Sequence, residues 1–304
     1  MRICSLLPSA TEILYALGLG EAIVGVSHEC DYPAQARSKP CLVRTAIDQD
    51  RMSSGDIDRA VRAALTAHRS LYEVDIEALR RARPDLVITQ SLCDVCALDA
   101  SAALSALRAL NPPPRVVTVH PHSLEGLFQD IRTIGHATNR NAEAGGLVRG
   151  LLERMERVRA RIPADAPSPA VFCLEWLDPP MASGHWVPEQ VARAGGRDVL
   201  GRAGAPSRYV TWEEVVAAAP QILVLMPCGF PIERTRRELS ILTSQSWWQA
   251  LPAVRDGRVY LVDGPSYFNR SGPRLIDGIE LLAGLFHPEQ CGDLLPGAAA
   301  VAAL

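Results

Sequence analysis

Residues 139–162 read NRNAEAGGLVRGLLERMERVRARI, from Asn139 to Ile162, and hold no proline. Leu147, Leu151, Leu152, Met155 and Val158 recur at helical spacing as one apolar stripe, and Arg and Glu residues fill the wet side. As one helix these residues would run about 36 Å, enough to bridge two lobes. The adjacent Gly145-Gly146 argues against an unbroken helix, because each glycine costs helix stability. The Pro163 to Pro169 stretch ends the segment. The reading predicts an N-terminal lobe over 1–137, a linking helix over 138–162 and a C-terminal lobe over 163–304.

On either side of this helix, strands and helices alternate, the pattern of an α/β fold with mostly parallel sheets covered on both faces. In the first half, strands are predicted at Ile3 to Leu7, Ile23 to Val26, Leu86 to Thr89 and Val116 to Val119. Helices follow at Leu98 to Leu110 and Ser123 to Ala137. In the second half, Val171 to Leu174, Ile222 to Leu225 and Val259 to Val262 read as strands. Trp212 to Ala219, Ile232 to Leu242 and Pro273 to Phe286 read as helices. The Ala- and Gly-rich tail after Cys291 reads as frayed. Val74-Asp75 through Pro84 to Thr89 is echoed by Val210-Thr211 through Pro220 to Leu225, each a helix, a proline and an apolar strand. The echo points to two related lobes.

A chain of 304 residues exceeds what one core usually holds, which agrees with two domains. The net charge of −3 supplies no basic field for nucleic acid and no polybasic stretch for membranes. No apolar run approaches the roughly 20 residues of a transmembrane helix. Met1-Arg2 leads directly into a strand, and Ser9 with Glu12 reads as a capping box for the first helix. With no room ahead of the fold for a signal peptide, the expectation is a cytoplasmic protein if Met1 is the native start, and a periplasmic one otherwise. The eight cysteines stand beside His, Glu and Trp rather than at disulfide spacings.

In open α/β sheets, ligands bind beyond the carboxyl ends of the strands, so the residues after each strand are the place to look. Five strand ends deliver uncommon side chains. They are His28, Glu29, Cys30 and Tyr32; Cys93, Asp94 and Cys96; Glu175 and Trp176, with His185 and Trp186 beyond; Cys228; and Tyr267, Phe268 and Arg270. Tyr32, Trp176, Trp186, Tyr267 and Phe268 could form stacking walls for a flat or bulky ligand, or pack in the core. Glu175 follows an apolar strand directly, where a carboxylate needs a partner or a cleft.

Cys93 and Cys96 form a single CxxC, and a structural zinc site usually pairs two. Cys30, Cys93, Cys96 and Cys228 could complete a metal sphere, with His28 and His185 nearby, only if the fold gathers them. Cleft lining or packing is the alternative for this set. No Walker loop, strand-following GxGxxG, GxSxG elbow or HExxH occurs, which removes the common nucleotide, hydrolase and zinc-protease readings.

Several motifs carry a family resemblance. Pro8-Ser9-Ala10-Thr11-Glu12-Ile13-Leu14, Val24-Gly25-Val26-Ser27 with Asp31-Tyr32-Pro33, Pro84 to Ile88, Ser183-Gly184 and Asn269 to Arg274 resemble the cobalamin-binding and iron-siderophore-binding solute receptors of ABC importers. The resemblance covers nearly the whole chain. It implies two Rossmann-like lobes joined by one long rigid helix, with a small-molecule ligand between them. The implied ligand is cobalamin or a related corrinoid, with haem or a ferric chelate as the alternative cargo. An importer permease is the implied partner, with no nucleic acid and no membrane insertion. Tyr32 matches the family's cleft tyrosine. Ser91 to Asp94 match a loop where cobalamin receptors carry a ligand-contacting tryptophan, replaced here by cysteines. The chain also departs from the family in an insertion at Arg44 to Glu73, with an extra amphipathic helix near Ile57 to His68. A metal- or thiol-dependent cytosolic enzyme built on the same scaffold remains a second reading, with Glu175 as base.

Overall fold

The computed structural model describes residues 1–67, 69–90, 107, 110–297 and 300–304. Cys93, Asp94, Cys96 and most of the helix expected at Leu98 to Leu110 lie outside the described residues. The chain divides into two units. Unit 1 comprises Met1–Asp48, Arg59–Pro121 and Glu125–Arg149; unit 2 comprises Gln49–Asp58, His122–Leu124 and Gly150–Leu304.

Unit 1 is built on a six-stranded sheet. Its strands are β1 (Ile3–Ser5), β2 (Ile23–Ser27), β3 (Cys41–Thr45), β4 (Tyr72–Val74), β5 (Leu86–Gln90) and β6 (Arg115–Val119). Their spatial order is β4-β3-β2-β1-β5-β6. All neighbours are parallel except β3 and β4. From β1 the chain builds outward to β2 and β3 on one side and returns to β5 and β6 on the other. The connection therefore reverses at β1 and β5, the position where open α/β sheets take ligands. Cys4, Leu42, Leu79 and Val87 fill the core on one face.

Unit 2 holds β7 (Ala170–Trp176), β8 (Met181–Ala182), β9 (Arg197–Asp198), β10 (Arg208–Tyr209), β11 (Ile222–Leu225), β12 (Val259–Val262) and β13 (Val301–Ala303). The order is β10-β8-β7-β11-β12-β13, with β9 also pairing β7. The central β7, β11 and β12 are parallel and buried from end to end but for two residues of β7 and one of β12. Such near-continuous burial accounts for their apolar runs.

The internal echo is structural. The helix Ile76–Ala82 opens on Asp75, whose carboxylate accepts from the Ala78 N–H, and closes on Arg83 in the left-handed conformation. The helix Trp212–Ala218 opens on Thr211 with a complete capping box and closes on Ala219, also left-handed. A proline follows each, then a strand beside the unit's first strand.

The linking segment forms one helix, Asn141–Arg161, of 21 residues, continuous through Gly145 and Gly146. Its buried stripe is Ala144, Val148, Leu151, Met155 and Val158. Leu147 is only half-buried and Leu152 is exposed. The expected stripe was thus shifted at two positions, because the 144-148-151-155-158 spacing follows a single helical face more closely.

Four other expectations are corrected. The first helix, Pro8–Ala16, begins on Leu7 with Pro8 at its first position and no side-chain cap, so Ser9 and Glu12 form no capping box. Both are buried inside the helix instead. The helix expected over Ile57 to His68 starts earlier, as Ser54–Thr66. The helix expected over Ile232 to Leu242 is broken into Ile232–Arg236 and Ser240–Thr243. Between them, the Glu238, Leu239 and Ile241 N–H groups bond three residues back rather than four. The tail is not frayed: β13 pairs antiparallel with β12, and Leu304 N–H bonds the Val259 carbonyl. Its small apolar residues suit that edge.

Candidate ligand-binding site

In unit 1 the carboxyl ends of the strands surround a small open hollow. Leu6 and Leu7 follow β1, Ser27 and His28 close β2, Val43 lies in β3, Tyr72 opens β4 and Gln90 ends β5. Glu29 completes the polar wall and Pro8 the apolar one. The sheet reversal at β1 and β5 therefore opens onto a concave surface lined by both polar and apolar side chains.

Of the unit 1 residues expected to bind ligand, His28 lies in this wall. Its backbone N–H donates to the Val43 carbonyl at 2.9 Å, and its Nδ1 lies 3.2 Å from the same oxygen. The imidazole stands 6.1 Å from the Tyr72 ring, tilted by 44°. Tyr32 is not among the hollow's lining residues, but presents 47 % of its surface to solvent. Tyr72 is the aromatic that strand-end reading missed. It lies at the end of the Arg44 to Glu73 segment, and β4 brings it alongside Thr45 of β3.

Cys30 lies below this surface. It is 3 % exposed; the Thr11 hydroxyl donates to its sulfur at 3.1 Å, and the Ser27 hydroxyl lies 3.2 Å away. Its place is a buried polar knot at the start of the first helix, continued by the Thr11 to Ser5 hydroxyl bond of 2.8 Å.

In unit 2, β7 ends at Glu175 and Trp176. The Ser207 hydroxyl donates to the Glu175 carboxylate, and burial pushes that carboxyl up to about 7. The Ser207 and Gly184 donors pull the other way, and the Asp198 carboxylate adds to the rise. Burial also raises Asp198, which accepts from Ser183 Oγ at 2.7 Å and from the Leu200 and Gly201 N–H groups. Trp176 is half-buried, its ring 5.1 Å from Phe230 and its Nε1 donating to the Asp178 carbonyl. Cys228, after β11, is exposed, and its N–H donates to the Glu175 carbonyl at 3.0 Å.

His185 is left-handed, with φ 51°, and stacks on His122 at 5.7 Å. Burial and the His122 charge both lower its pKa. Its Nε2 is buried with no hydrogen-bond partner among the described residues. Trp186 and Phe268 are core residues: Trp186 is 4 % exposed and donates to the Phe268 carbonyl at 2.7 Å, and Phe268 is fully buried. Tyr267 and Arg270 are half-buried at the turn after β12. Glu175, Trp176 and Cys228 are thus neighbours, and Trp186, Tyr267 and Phe268 form a second group.

Among the described residues no group of three or more His, Cys, Asp or Glu side chains is arranged to hold a metal ion. The described cysteines are all free thiols, and burial holds Cys4 up at about 12 and Cys173 well above the usual range. Buried thiols held protonated are poor nucleophiles. No helix among the described residues is long and apolar enough to cross a membrane.

The chain is 26 % identical over 286 residues to the vitamin B12-binding protein of Vibrio cholerae, covering 92 % of this chain and 86 % of that one. It is 26 % identical over 292 residues to an uncharacterized ABC transporter substrate-binding lipoprotein of Bacillus subtilis, covering 95 % and 80 %. Its fold matches a periplasmic heme-binding protein of Pseudomonas aeruginosa with a TM-score of 0.69 at 21 % identity, covering 95 % and 93 %. The model of the periplasmic binding protein family matches residues 3–265, and with that span, its two mostly parallel α/β units and its strand-end hollow, the chain belongs to that family.

Proposed function

We propose that this protein is the solute-binding component of an ABC importer and that its ligand is a corrinoid. The observation that carries the reading is the hollow at the carboxyl ends of β1, β2 and β5, where His28, Tyr72 and Gln90 meet the apolar Leu6, Leu7 and Pro8. Ser27, His28, Glu29, Tyr72 and Gln90 give it at least as many polar as apolar side chains, which suits the amide-edged rim of a macrocycle. The exposed Tyr32, in the same unit, offers a flat face for a ligand ring. The Vibrio cholerae relative supports a corrinoid, and the Bacillus subtilis relative supports a transporter role. The Bacillus subtilis relative is named a lipoprotein and the Pseudomonas aeruginosa protein periplasmic, and we infer a working compartment outside the cytoplasm. The reading needs no bound metal at the cysteines and no chemical step.

Equilibrium dialysis against cyanocobalamin, haemin and a ferric hydroxamate siderophore tests the proposal. Saturable retention of cyanocobalamin, more than tenfold tighter than either alternative, is the expected result. Preferential retention of haemin would replace the corrinoid by haem as cargo. Retention of none of the three would remove the reading.

A further inference from the structure

The short piece His122–Leu124 belongs to unit 2, although the chain on either side of it does not. It opens the helix Leu124–Ala137, and the Leu124 N–H donates to Glu189 Oε2 at 3.1 Å. A carboxylate at that end suits the helix dipole. His122 adds a ring stacked on His185, with centroids 5.7 Å and planes 22° apart. His185 is held firmly for this contact. Its N–H donates to the Ala205 carbonyl at 2.6 Å, and its carbonyl accepts from the Gly204 N–H at 2.8 Å. A Cβ on the preceding Gly184 would lie 2.4 Å from the Ser207 nitrogen, so the turn has no slack. The left-handed backbone at φ 51° is kept by these contacts. His185 Nε2 is buried without a hydrogen-bond partner among the described residues. A neutral ring meets this with its hydrogen on Nδ1, whereas the cation must carry one on Nε2 as well. Protonation therefore buries an unmet donor and sets a positive charge against His122.

We propose that the His122–His185 stack is a pH-operated latch: neutral rings hold His122–Leu124 on unit 2, and protonation of both lets that piece go. Burial and the His122 charge lower the His185 pKa from its ordinary 6.5. The hold is therefore complete above about pH 6.5 and is lost as pH falls through the lower folded value. The other titratable groups on these elements do not produce the same response. Glu125 lies 3.6 Å from Arg132, and the His120 N–H bonds Asp130. Burial raises Asp130 to about 7, so acid favours its folded form, the opposite sign. Glu189 keeps its bond to Leu124 whatever stands at position 122. The latch is independent of which solute the protein carries.

Hydrogen exchange in the whole protein tests the latch. Protection of the Leu124 to Ile131 amides is read at pH 7.5 and pH 5 against an unstructured peptide of the same sequence at each pH. In the wild type this protection should fall about tenfold or more on acidification. His122 is exposed, and His122→Phe keeps a flat ring without a charge, so this variant should hold its protection at both pH values. The His185 ring protons, followed by NMR, should titrate below 6.5 in the wild type and closer to 6.5 in His122→Phe. An undiminished protection in the wild type at pH 5 overturns the latch. The same fall in His122→Phe overturns it too, and assigns the response to Glu189. A His185 midpoint that His122→Phe leaves in place shows that the two rings do not sense each other, and also overturns it.

Discussion

Arg83 and Ala219 stand at matching places in the two units: each closes a seven-residue helix in the left-handed conformation, with φ 41° and 44°. Each precedes a proline and then a central strand, β5 or β11. A side chain with a Cβ is strained in that region, and neither residue is glycine. Pro84 and Pro220 limit how far the helices can continue, so the chain turns there by backbone strain rather than by composition. Ala219→Gly should relieve the strain at some cost in unfolded-chain entropy, raising stability by about 0.5 kcal/mol. Urea unfolding midpoints would show it; an unchanged or lowered midpoint would mean the conformation is not strained.

Glu175 predicts a pH dependence of stability. Its carboxyl sits at about 7 in the folded protein against 4.5 when free. Between those values the folded state keeps a proton that the unfolded state has released. The contribution is therefore fully present below about pH 4.5 and is lost as pH rises through about 7. Asp130 acts with the same sign, raised by burial from 3.8 to about 7 against the His120 N–H bond. Glu175→Gln keeps an acceptor for Ser207 and should flatten the decline, so that the variant gains on the wild type from pH 5 to pH 8. Thermal unfolding across that range is the measurement, and parallel curves would contradict it.

Arg234 predicts a large stability loss. Its side chain is 8 % exposed, pairs with Glu238 at 2.5 Å, and lies 4.2 Å over the Phe230 ring. It also donates to the Gln49 and Met52 carbonyls, at 3.2 and 2.6 Å. Glu238 in turn accepts from Ser54, and the Tyr209 hydroxyl donates to Asp58 at 2.6 Å. Arg234→Ala strands a buried carboxylate and should cost about 3–5 kcal/mol. Tyr209→Phe should cost only about 1 kcal/mol. Comparable losses from the two in urea unfolding would show that the buried pair is not what secures Gln49–Asp58.

Tyr32 tests the ligand surface without touching the core. It is 47 % exposed, so Tyr32→Ala should leave the unfolding midpoint within about 0.5 kcal/mol of the wild type. Corrinoid affinity should fall about tenfold if its ring stacks on the ligand. A large stability change with unaltered affinity would assign Tyr32 to structure.

These features differ in how openly the sequence declares them. The parallel strands were legible because Val87, Ile88, Leu223 and Val224 are buried on both faces and so read as unbroken apolar runs. Pro84 and Pro220 announced the repeated helix ends. His28 was legible because strand-end position alone selects it. Tyr72 was not, since it reaches the hollow through an antiparallel pairing of β4 with β3 that no local pattern specifies. Trp186 and Phe268 were equally opaque: an aromatic after a strand looks the same whether it lines a cleft or, as here, bonds into the core. The tail strand depends on β12 as a partner, a long-range contact invisible to composition.

The most direct test of the account is isothermal titration of the purified protein with cyanocobalamin, repeated with the Tyr32→Ala variant. One corrinoid bound per chain, with a weaker fit in the variant at unchanged stability, is the predicted result. No heat and no retained corrinoid with a folded wild-type protein would contradict it.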